Sequence, residues 1–249
     1  MVATSTKVVV ITGAGSGLGR EIARRLLGAG HRVALAGRRR DALEATAGDS
    51  DRALVAPTDV TSRAEVAALF DRVIERWGRV DVLVNNAGTF GASGSVDELD
   101  IDEWQQVLDV NVTGAFLCAA EAVRHMKAQY PPGGRILNNG SVSAQMPRPL
   151  SAAYTMSKHA ITGLTRSIAL DGRPFDICCG QIDIGNAATD MTASVGVQAL
   201  QPDGTSRAEP TFDPAYVAEM VRLLVELPLD VNVPFLTMMA NGMPFIGRG

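Results

Sequence analysis

Two hydrophobic periods alternate along the chain, and they predict strands and helices in turn. Short runs of four or five β-branched and other apolar residues are typical of strands that are buried on both faces of a sheet. Between them, apolar residues recur every three or four positions, as in helices that pack against a sheet. The predicted strands are 7–11, 32–36, 53–56, 81–84, 135–141, 175–181 and 233–238. The predicted helices are 18–28, 41–47, 61–77, 104–129, 152–170 and 216–227.

This alternation predicts an α/β fold with a parallel sheet. The 249 residues would fit one large domain or two small ones, and neither a linker nor an internal repeat divides them. We therefore expect a single domain over 1–249. Within it, 184–213 has no apolar period and is rich in Gly, Ala, Thr, Pro and Asp. An unpatterned segment of this length is usually a lid or is disordered, and we expect a lid over a substrate site.

Composition and charge argue against several classes of protein. The net charge is −4 and the longest basic run is Arg38-Arg39-Arg40, so nucleic acid is not expected as a partner. No uninterrupted apolar run reaches the ~18 residues of a membrane span, and the N-terminus lacks the ordered regions of a signal peptide. We expect a cytoplasmic protein. The cysteines (Cys118, Cys178 and Cys179) and the scattered histidines have no metal-site or disulfide spacing, which predicts buried thiols and no metal.

A glycine-rich loop joins the first strand to the first helix, in the order Thr12-Gly13-Ala14-Gly15-Ser16-Gly17-Leu18-Gly19. In a dinucleotide site Gly13 would form the tight turn, Gly17 would admit a pyrophosphate and Gly19 would let the helix pack closely. Backbone N–H groups at the helix start, near Ser16 and Leu18, would bind the phosphates. A plain glycine-rich turn is the alternative, but the strand before and the helix after favour a dinucleotide site.

The tip of the second strand indicates which dinucleotide binds. An acid at this place binds a ribose 2′-hydroxyl in many such folds. Here Ala36 and Gly37 lead into Arg38, and the first acid, Asp41, comes too late. Because a guanidinium is suited to a 2′-phosphate, we expect NADP in preference to NAD. The alternative is that the arginines only solvate the start of the next helix.

Other small or polar residues follow the third and fourth strands, where ligands gather in such sheets. The asparagines before Gly88 would also suit a simple turn. We expect this set to line the cofactor: Asp59, Val60, Asn85, Ala87 and Gly88. Asn111 lies in a run of poor helix formers, 110–114. Local distortion there would free backbone groups for a bound water, although Asn111 would also fit as a tolerated polar residue.

Tyr154 and Lys158 are four residues apart in the helix 152–170, so they share one face. Ser141 lies thirteen residues before Tyr154. A lysine ammonium would lower the pKa of its tyrosine neighbour from about 10. The pair would then give or take a proton near neutral pH.

Together these motifs resemble the short-chain dehydrogenase/reductase family over nearly the whole chain. The resemblance implies a Rossmann-type doubly wound sheet of seven parallel strands with helices on both faces, a nicotinamide cofactor, and a homodimer or homotetramer. It also implies that Tyr154 exchanges a proton with the carbonyl or alcohol oxygen while a hydride moves to or from the cofactor. Lys158 would bind the nicotinamide ribose, Ser141 would polarise the reacting oxygen, and Asn111 would hold a water in a proton relay.

Two features depart from the family pattern. The family usually has a Pro-Gly pair after the sixth strand and then a threonine that holds the nicotinamide amide. The stretch from Cys179 to Asn186 has no proline, and we expect no threonine at the usual place, so the Ile182 backbone is the predicted substitute. The link 171–176 before the sixth strand is also shorter than usual in the family. Apart from these departures, the C-terminal segment 243–249 is a candidate to cover the active site of its own or a neighbouring subunit.

The leading hypothesis is therefore an NADP-dependent oxidoreductase that acts on a small-molecule carbonyl or secondary alcohol. A non-catalytic NADP-sensing protein on the same fold is the alternative, but such a protein would be expected to lack Tyr154 or Lys158. A dehydratase or epimerase would use the same pair, and it usually needs a longer chain with a sugar-nucleotide domain.

Overall fold

The computed structural model describes residues 5–192 and 198–245, in which strands and helices alternate as the hydrophobic pattern predicts. Element ends differ from the predicted ones by a few residues. The strands are β1 (Val8–Thr12), β2 (Arg32–Gly37), β3 (Ala53–Pro57), β4 (Val82–Asn85), β5 (Gly134–Asn139), β6 (Ile177–Ile184), β7 (Ala199–Leu200), β8 (Ser206–Arg207) and β9 (Phe235–Met238). The helices are α1 (Gly17–Gly28), α2 (Arg40–Ala47), α3 (Arg63–Trp77), α4 (Ile101–Leu108), α5 (Ala115–Ala128), α6 (Ala152–Asp171) and α7 (Ala215–Glu226).

Seven parallel strands form one sheet in the order β3-β2-β1-β4-β5-β6-β9. The chain winds outward from β1 to β3, then crosses back to β4 and winds the other way. This reversal leaves a crevice outside the carboxyl ends of β1 and β4, the place where such sheets bind ligands. The predicted fold class is confirmed.

Helices cover both faces of the sheet because successive strand residues point to opposite sides. Along β1, Val8 and Val10 pack into the core that contains α3 and α5, whereas Val9 and Ile11 pack into the core that contains α1 and α7. All four side chains are at most 3% exposed. Burial on both faces explains why the strands are continuous apolar runs and not alternating ones.

The long predicted helix 104–129 is interrupted as its composition indicates. A π-helical turn, Asp109–Gly114, separates α4 from α5. Wider turns of this type are frequent at functional sites. A smaller difference concerns α3, which begins at Arg63 and not at 61: its N-cap is Ser62, whose hydroxyl accepts from the Glu65 N–H at 3.3 Å.

The segment Ile101–Ala128, which spans α4, the π turn and α5, is long and apolar enough to cross a membrane by length and composition. Its mean hydropathy is 1.2 over the most apolar window, and 39% of that window is buried. One such helix is weak evidence for a span, because core helices pass the same test. Cys118, Ala122 and Met126 on α5 are fully buried in the core beside α3.

The predicted lid 184–213 is partly described. It contains a helical turn, Asp190–Thr192, and the short antiparallel pair β7–β8. Residues 193–197 of this segment, and 246–249 of the C-terminal segment, lie outside the described residues. Both roles remain predictions. Cys118, Cys178 and Cys179 are buried free thiols, as expected.

Candidate active site

The glycine loop has the geometry that a close-fitting phosphate cradle needs. Gly13 and Gly17 adopt φ of +66° and +49°, in the left-handed region that favours glycine. A Cβ on Gly19 would overlap the Gly13 carbonyl oxygen and would lie 2.6 Å from Asn86 Nδ2. At the start of α1, the Ser16 side chain makes no cap hydrogen bond to the described residues, and the first turn of the helix carries no acid. The helix therefore presents N–H groups and its positive dipole end to the crevice.

Two neighbouring cavities open along this crevice. One of about 920 Å³ runs from the glycine loop past the tip of β2 to the π turn. The other, of about 160 Å³, runs from the same loop to Tyr154 and Lys158. Residues Gly13, Ser16, Ala87 and Gly88 border both. Of the other predicted cofactor residues, Arg38, Asp59 and Val60 line the larger cavity. Gly17, Leu18 and Gly19 line the smaller one.

The far end of the larger cavity carries charge of both signs. Arg38 and Arg39 follow β2 and line the cavity, and Asp59 follows β3. The Thr61 N–H and hydroxyl both donate to Asp59 Oδ1, at 2.9 and 2.8 Å. These two hydrogen bonds, together with the positive charge of Arg38, hold the pKa of Asp59 below its usual value. Asp59 is thus a fixed, ionised acceptor beside two guanidiniums.

A chain of hydrogen bonds connects the glycine loop to Lys158. The Thr12 hydroxyl accepts from the N–H groups of Asn86 and Ala87, both at 2.9 Å. Asn86 Oδ1 accepts from Asn139 Nδ2 at 2.9 Å, and the Asn139 carbonyl accepts from Lys158 Nζ at 2.7 Å. This network ties β1, β4, β5 and α6 together at their site-facing ends. Thr12 and Asn86 belong to motifs that the sequence showed, and Asn139 lies at a predicted strand end, but the sequence did not predict the hydrogen bonds that join them to Lys158.

Tyr154 lies on the first turn of α6, and the Ser141 hydroxyl is close enough to the Tyr154 hydroxyl to lower the pKa of Tyr154. Its ring packs against Phe90, with 4.3 Å between ring centroids. The Ser141 hydroxyl also accepts from the Ser143 N–H at 3.1 Å, which fixes it at the end of β5. The structure thus brings together Ser141 and Tyr154, as predicted from the sequence.

The electrostatics of the pair differ from the prediction. Burial raises the pKa of Tyr154 to about 12, and the Ser141 hydroxyl and Arg148 only partly offset this. Burial lowers the pKa of Lys158 to about 8, and Asp183 opposes that shift. Lys158 Nζ lies 5.5 Å from the centre of the Tyr154 ring. The pKa of Tyr154 is thus raised where the sequence predicted a lower value, because desolvation is the largest influence on it.

Asn111 lies in the π turn and its amide is used by protein partners. Its Oδ1 accepts from the Thr89 N–H at 2.8 Å, and its Nδ2 donates to the Thr89 carbonyl at 2.8 Å and to Ser157 Oγ at 3.0 Å. The side chain therefore clamps the loop after β4 to α6. Any water held in a relay would have to use backbone groups that the π turn frees, which keeps that role a prediction.

Two predicted cofactor residues lie elsewhere. Asn85 Nδ2 donates to the Ala115 carbonyl at 2.7 Å and to Asn138 Oδ1 at 3.3 Å, so its amide braces the sheet against α5. Ile182 is inside β6, where its carbonyl accepts from the Gly140 N–H at 2.9 Å and its side chain is in the core. Both predictions placed the end of a strand too early.

Thr189 occupies the place that Ile182 was expected to fill. It lines the smaller cavity, and its side chain faces Gly17, where an added Cβ would lie 3.7 Å from Thr189 Cβ. The expectation that no threonine reaches the nicotinamide side is therefore wrong. Because β6 runs to Ile184 and not to Gln181, the following loop begins three residues later than predicted. A count from the true strand end would have found Thr189.

Comparisons with known proteins agree with this geometry. A family model described as short chain dehydrogenase matches residues 7–199. A 3beta-hydroxysteroid dehydrogenase of Mediterraneibacter gnavus is 38% identical over 193 residues, which cover 75% of this chain and 68% of that protein.

Solved structures match over more of the chain. A single-residue variant of actinorhodin polyketide ketoreductase, with NADPH, is similar with a TM-score of 0.83 and 31% identity, over 96% of this chain and 98% of that one. A 3-ketoacyl-(acyl-carrier-protein) reductase from Brucella melitensis, complexed with NADH, has a TM-score of 0.83 and 26% identity, over 94% and 97%. The chain therefore belongs to the short-chain dehydrogenase/reductase family, whose members are oxidoreductases with a nicotinamide cofactor.

Proposed function

We propose that this protein transfers a hydride between NADP(H) and a small-molecule carbonyl or secondary alcohol, with Tyr154 as the general acid/base. One observation carries the proposal: Tyr154, with Ser141 near its hydroxyl, and Lys158 border the same cavity as the glycine loop. A bound nicotinamide would supply the hydride chemistry. The residues of the chain supply position and protons.

Each catalytic side chain has a role that its contacts support. The Ser141 hydroxyl is held by the Ser143 N–H and is aimed at the Tyr154 hydroxyl, so both can hydrogen-bond one substrate oxygen. Tyr154 gives its proton to that oxygen on reduction and removes it on oxidation. Lys158 is anchored by the Asn139 carbonyl and lies within reach of a ribose in the smaller cavity. Thr189 is placed to hold the amide end of the same cofactor half.

The preference for NADP rests on the tip of β2. Arg38 and Arg39 line the cavity there, and the strand tip carries no acid that would repel a 2′-phosphate. Relatives with solved structures bind either NADPH or NADH, so the choice has to come from the residues of this chain.

Fluorescence titration tests this preference. We expect NADPH to bind more tightly than NADH, and Arg38→Ala to weaken NADPH selectively. Arg40→Ala is the matched control, because the Arg40 guanidinium pairs with Glu44 at 3.6 Å on α2. Tighter binding of NADH by the wild type would remove the role given to Arg38.

Turnover is tested with a panel of ketones, aldehydes and secondary alcohols, including cyclic and steroidal ones, read by NADPH absorbance. We expect at least one member to be reduced or oxidised by the wild type. A non-catalytic NADP-sensing protein, the alternative function, would bind NADPH and turn over none of them.

Self-association is the second part of the proposal. Phe116 on α5 is 56% exposed, and Met156 and Leu170 on α6 are 51% and 62% exposed. An added Cβ at Gly163 of α6 would meet no described atom within 4 Å. Exposed apolar surface of this kind is typical of interfaces, and we propose a homodimer or homotetramer. Light scattering should give a multiple of the 26.2 kDa chain mass, and Phe116→Glu should lower it.

A further inference from the structure

A buried carboxylate lies beneath the catalytic serine in a part of β6 that departs from the family pattern. Asp183 is 2% exposed and is the second-last residue of β6. Its Oδ1 accepts from the Ser141 N–H at 3.1 Å and from Gln181 Nε2 at 2.7 Å. Its Oδ2 accepts from Gln145 Nε2 at 2.7 Å. Three N–H groups of the protein thus donate to this buried carboxylate and stabilise its negative charge.

The backbone is shaped to admit this carboxylate. A Cβ on Gly140 would overlap Asp183 Oδ1 and would come within 2.8 Å of Gln181 Cγ. The glycine before Ser141 therefore lets Asp183 and Gln181 pack directly under the turn that carries the serine. Gln181 is itself fixed, because it accepts from the Thr165 hydroxyl at 3.2 Å and donates to the Thr162 hydroxyl at 3.1 Å. The carboxylate is thus held by α6 as well as by the loop after β5.

We propose that Asp183 is a positioning residue of the active site, which fixes the Ser141 backbone and places a negative charge beside the Tyr154–Lys158 pair. The Ser141 N–H donates directly to Asp183, and the charge of Asp183 acts on both Tyr154 and Lys158. The catalytic part of this inference rests on the proposed hydride-transfer function. The electrostatic part does not.

The charged groups around Tyr154 and Lys158 determine how the pKa values of these two residues should change when the Asp183 charge is removed. Asp183 faces it from β6 and Arg148 faces it from the loop before α6, and Arg148 is paired with Glu209 at 2.9 Å. The neighbours from β4, β5 and the π turn, Asn86, Asn139 and Asn111, are neutral amides. The Asp183 charge raises the pKa of both Tyr154 and Lys158, so its removal should lower both.

The test is a titration of Lys158 by NMR, on full-length protein labelled with ¹³C at lysine Cε. The sequence contains lysine only at Lys7, Lys127 and Lys158, so the signals are few and Lys158→Arg assigns one of them. In Asp183→Asn the Gln145 amide can turn to accept from the new Nδ2, which preserves the packing. We expect the Lys158 midpoint to fall below its wild-type value near 8.

Asp81→Asn is the matched control. Asp81 also accepts from a backbone N–H, that of Val8 at 2.8 Å, but it lies at the amino end of β4, whereas the site lies at the carboxyl ends of the strands. Its replacement should leave the Lys158 midpoint in place. Gln145→Met is a second control, which distinguishes loss of the negative charge from disturbed packing. It removes a neighbour of Asp183 but keeps the Asp183 carboxylate. An unchanged midpoint in Asp183→Asn, or an equal fall in Gln145→Met, would overturn the inference.

The pH profile of turnover adds the catalytic test. For oxidation of an alcohol from the panel, the rise of kcat/KM with pH should move to lower pH in Asp183→Asn and stay fixed in Asp81→Asn. If kcat/KM of Asp183→Asn fell by the same factor at every pH, so that the profile did not move along the pH axis, Asp183 would have a structural role only. That result would overturn the proposal. If the wild type turned over no substrate, the proposed function would fail, and the Lys158 titration would still decide the role of the charge.

Discussion

Replacing Gly19 by alanine tests why glycine is needed at this position of the cofactor loop. The reason is either close packing of the helix start or a backbone conformation that only glycine adopts. Gly19 is in α1 and does not have a positive φ, so alanine is compatible with its backbone. The new Cβ would nevertheless overlap the Gly13 carbonyl oxygen and would lie 2.8 Å from the Gly13 carbonyl carbon. Since carbon atoms prefer separations of about 3.5–4.0 Å, the start of α1 has to move away from β1 by about 1 Å.

The size of the effect follows from this overlap. Overpacking of a filled site typically costs about 1–3 kcal/mol. For a chain of this length, each kcal/mol corresponds to roughly 2–4 °C in Tm. We therefore expect Gly19→Ala to melt roughly 2–12 °C below the wild type. The displaced helix start should also weaken NADPH binding by about tenfold or more, since about 1.4 kcal/mol is a factor of ten.

Gly28→Ala is the matched control, because it is the same substitution at the other end of the same helix. A Cβ at Gly28 would meet no described atom within 4 Å. Alanine is better than glycine in a helix by up to about 1 kcal/mol, so this variant should melt at or above the wild-type temperature. Calorimetry measures the Tm of both variants, and titration measures their affinity for NADPH. A Gly19→Ala protein with wild-type Tm and NADPH affinity would refute the close-packing argument.

Three further predictions concern the site and its helices. Asn111→Ala leaves the Thr89 N–H and carbonyl without their partner. The free energy of unfolding, measured in urea, should fall by about 2–4 kcal/mol. Asn111→Asp should have a free energy of unfolding between those of the wild type and Asn111→Ala. Because burial lowers the Lys158 pKa from 10.5 to about 8, the unfolded chain binds more protons between these values. Wild-type stability relative to Lys158→Met should therefore rise from about pH 8 to 10.5, and a difference that stays constant with pH would contradict the shift. Asp100 caps α4 by accepting from the N–H groups of Asp102 and Glu103, so Asp100→Ala should cost about 1 kcal/mol and Asp100→Asn much less.

Much of the fold was predictable because local and global signals agree. Continuous apolar runs indicated the strands of a doubly covered sheet, and the glycine loop between β1 and α1 indicated the first βαβ unit. The poor helix formers around Asn111 indicated the distortion that the structure shows as a π turn. These features depend on residues close together in sequence.

The wrong predictions concern features that depend on residues far apart in the sequence. Residues 182–184 continue β6 past the predicted end because β9 pairs with all three and β5 still pairs with Ile182, which no local pattern reports. That extension moved Ile182 into the core and Thr189 into the cavity. The pKa of Tyr154 was misjudged for a similar reason: helical spacing shows that Lys158 is near, but not that both groups are buried.

Single-turnover hydride transfer by Tyr154→Phe tests the central claim most directly. With a substrate that the wild type turns over, this variant keeps the ring packed on Phe90 and loses only the hydroxyl that meets Ser141. We predict a fall in the rate of roughly 10²–10⁴-fold, as for loss of a general acid/base, with NADPH affinity unchanged. A Tyr154→Phe protein that binds NADPH and still transfers hydride at the wild-type rate would contradict the account.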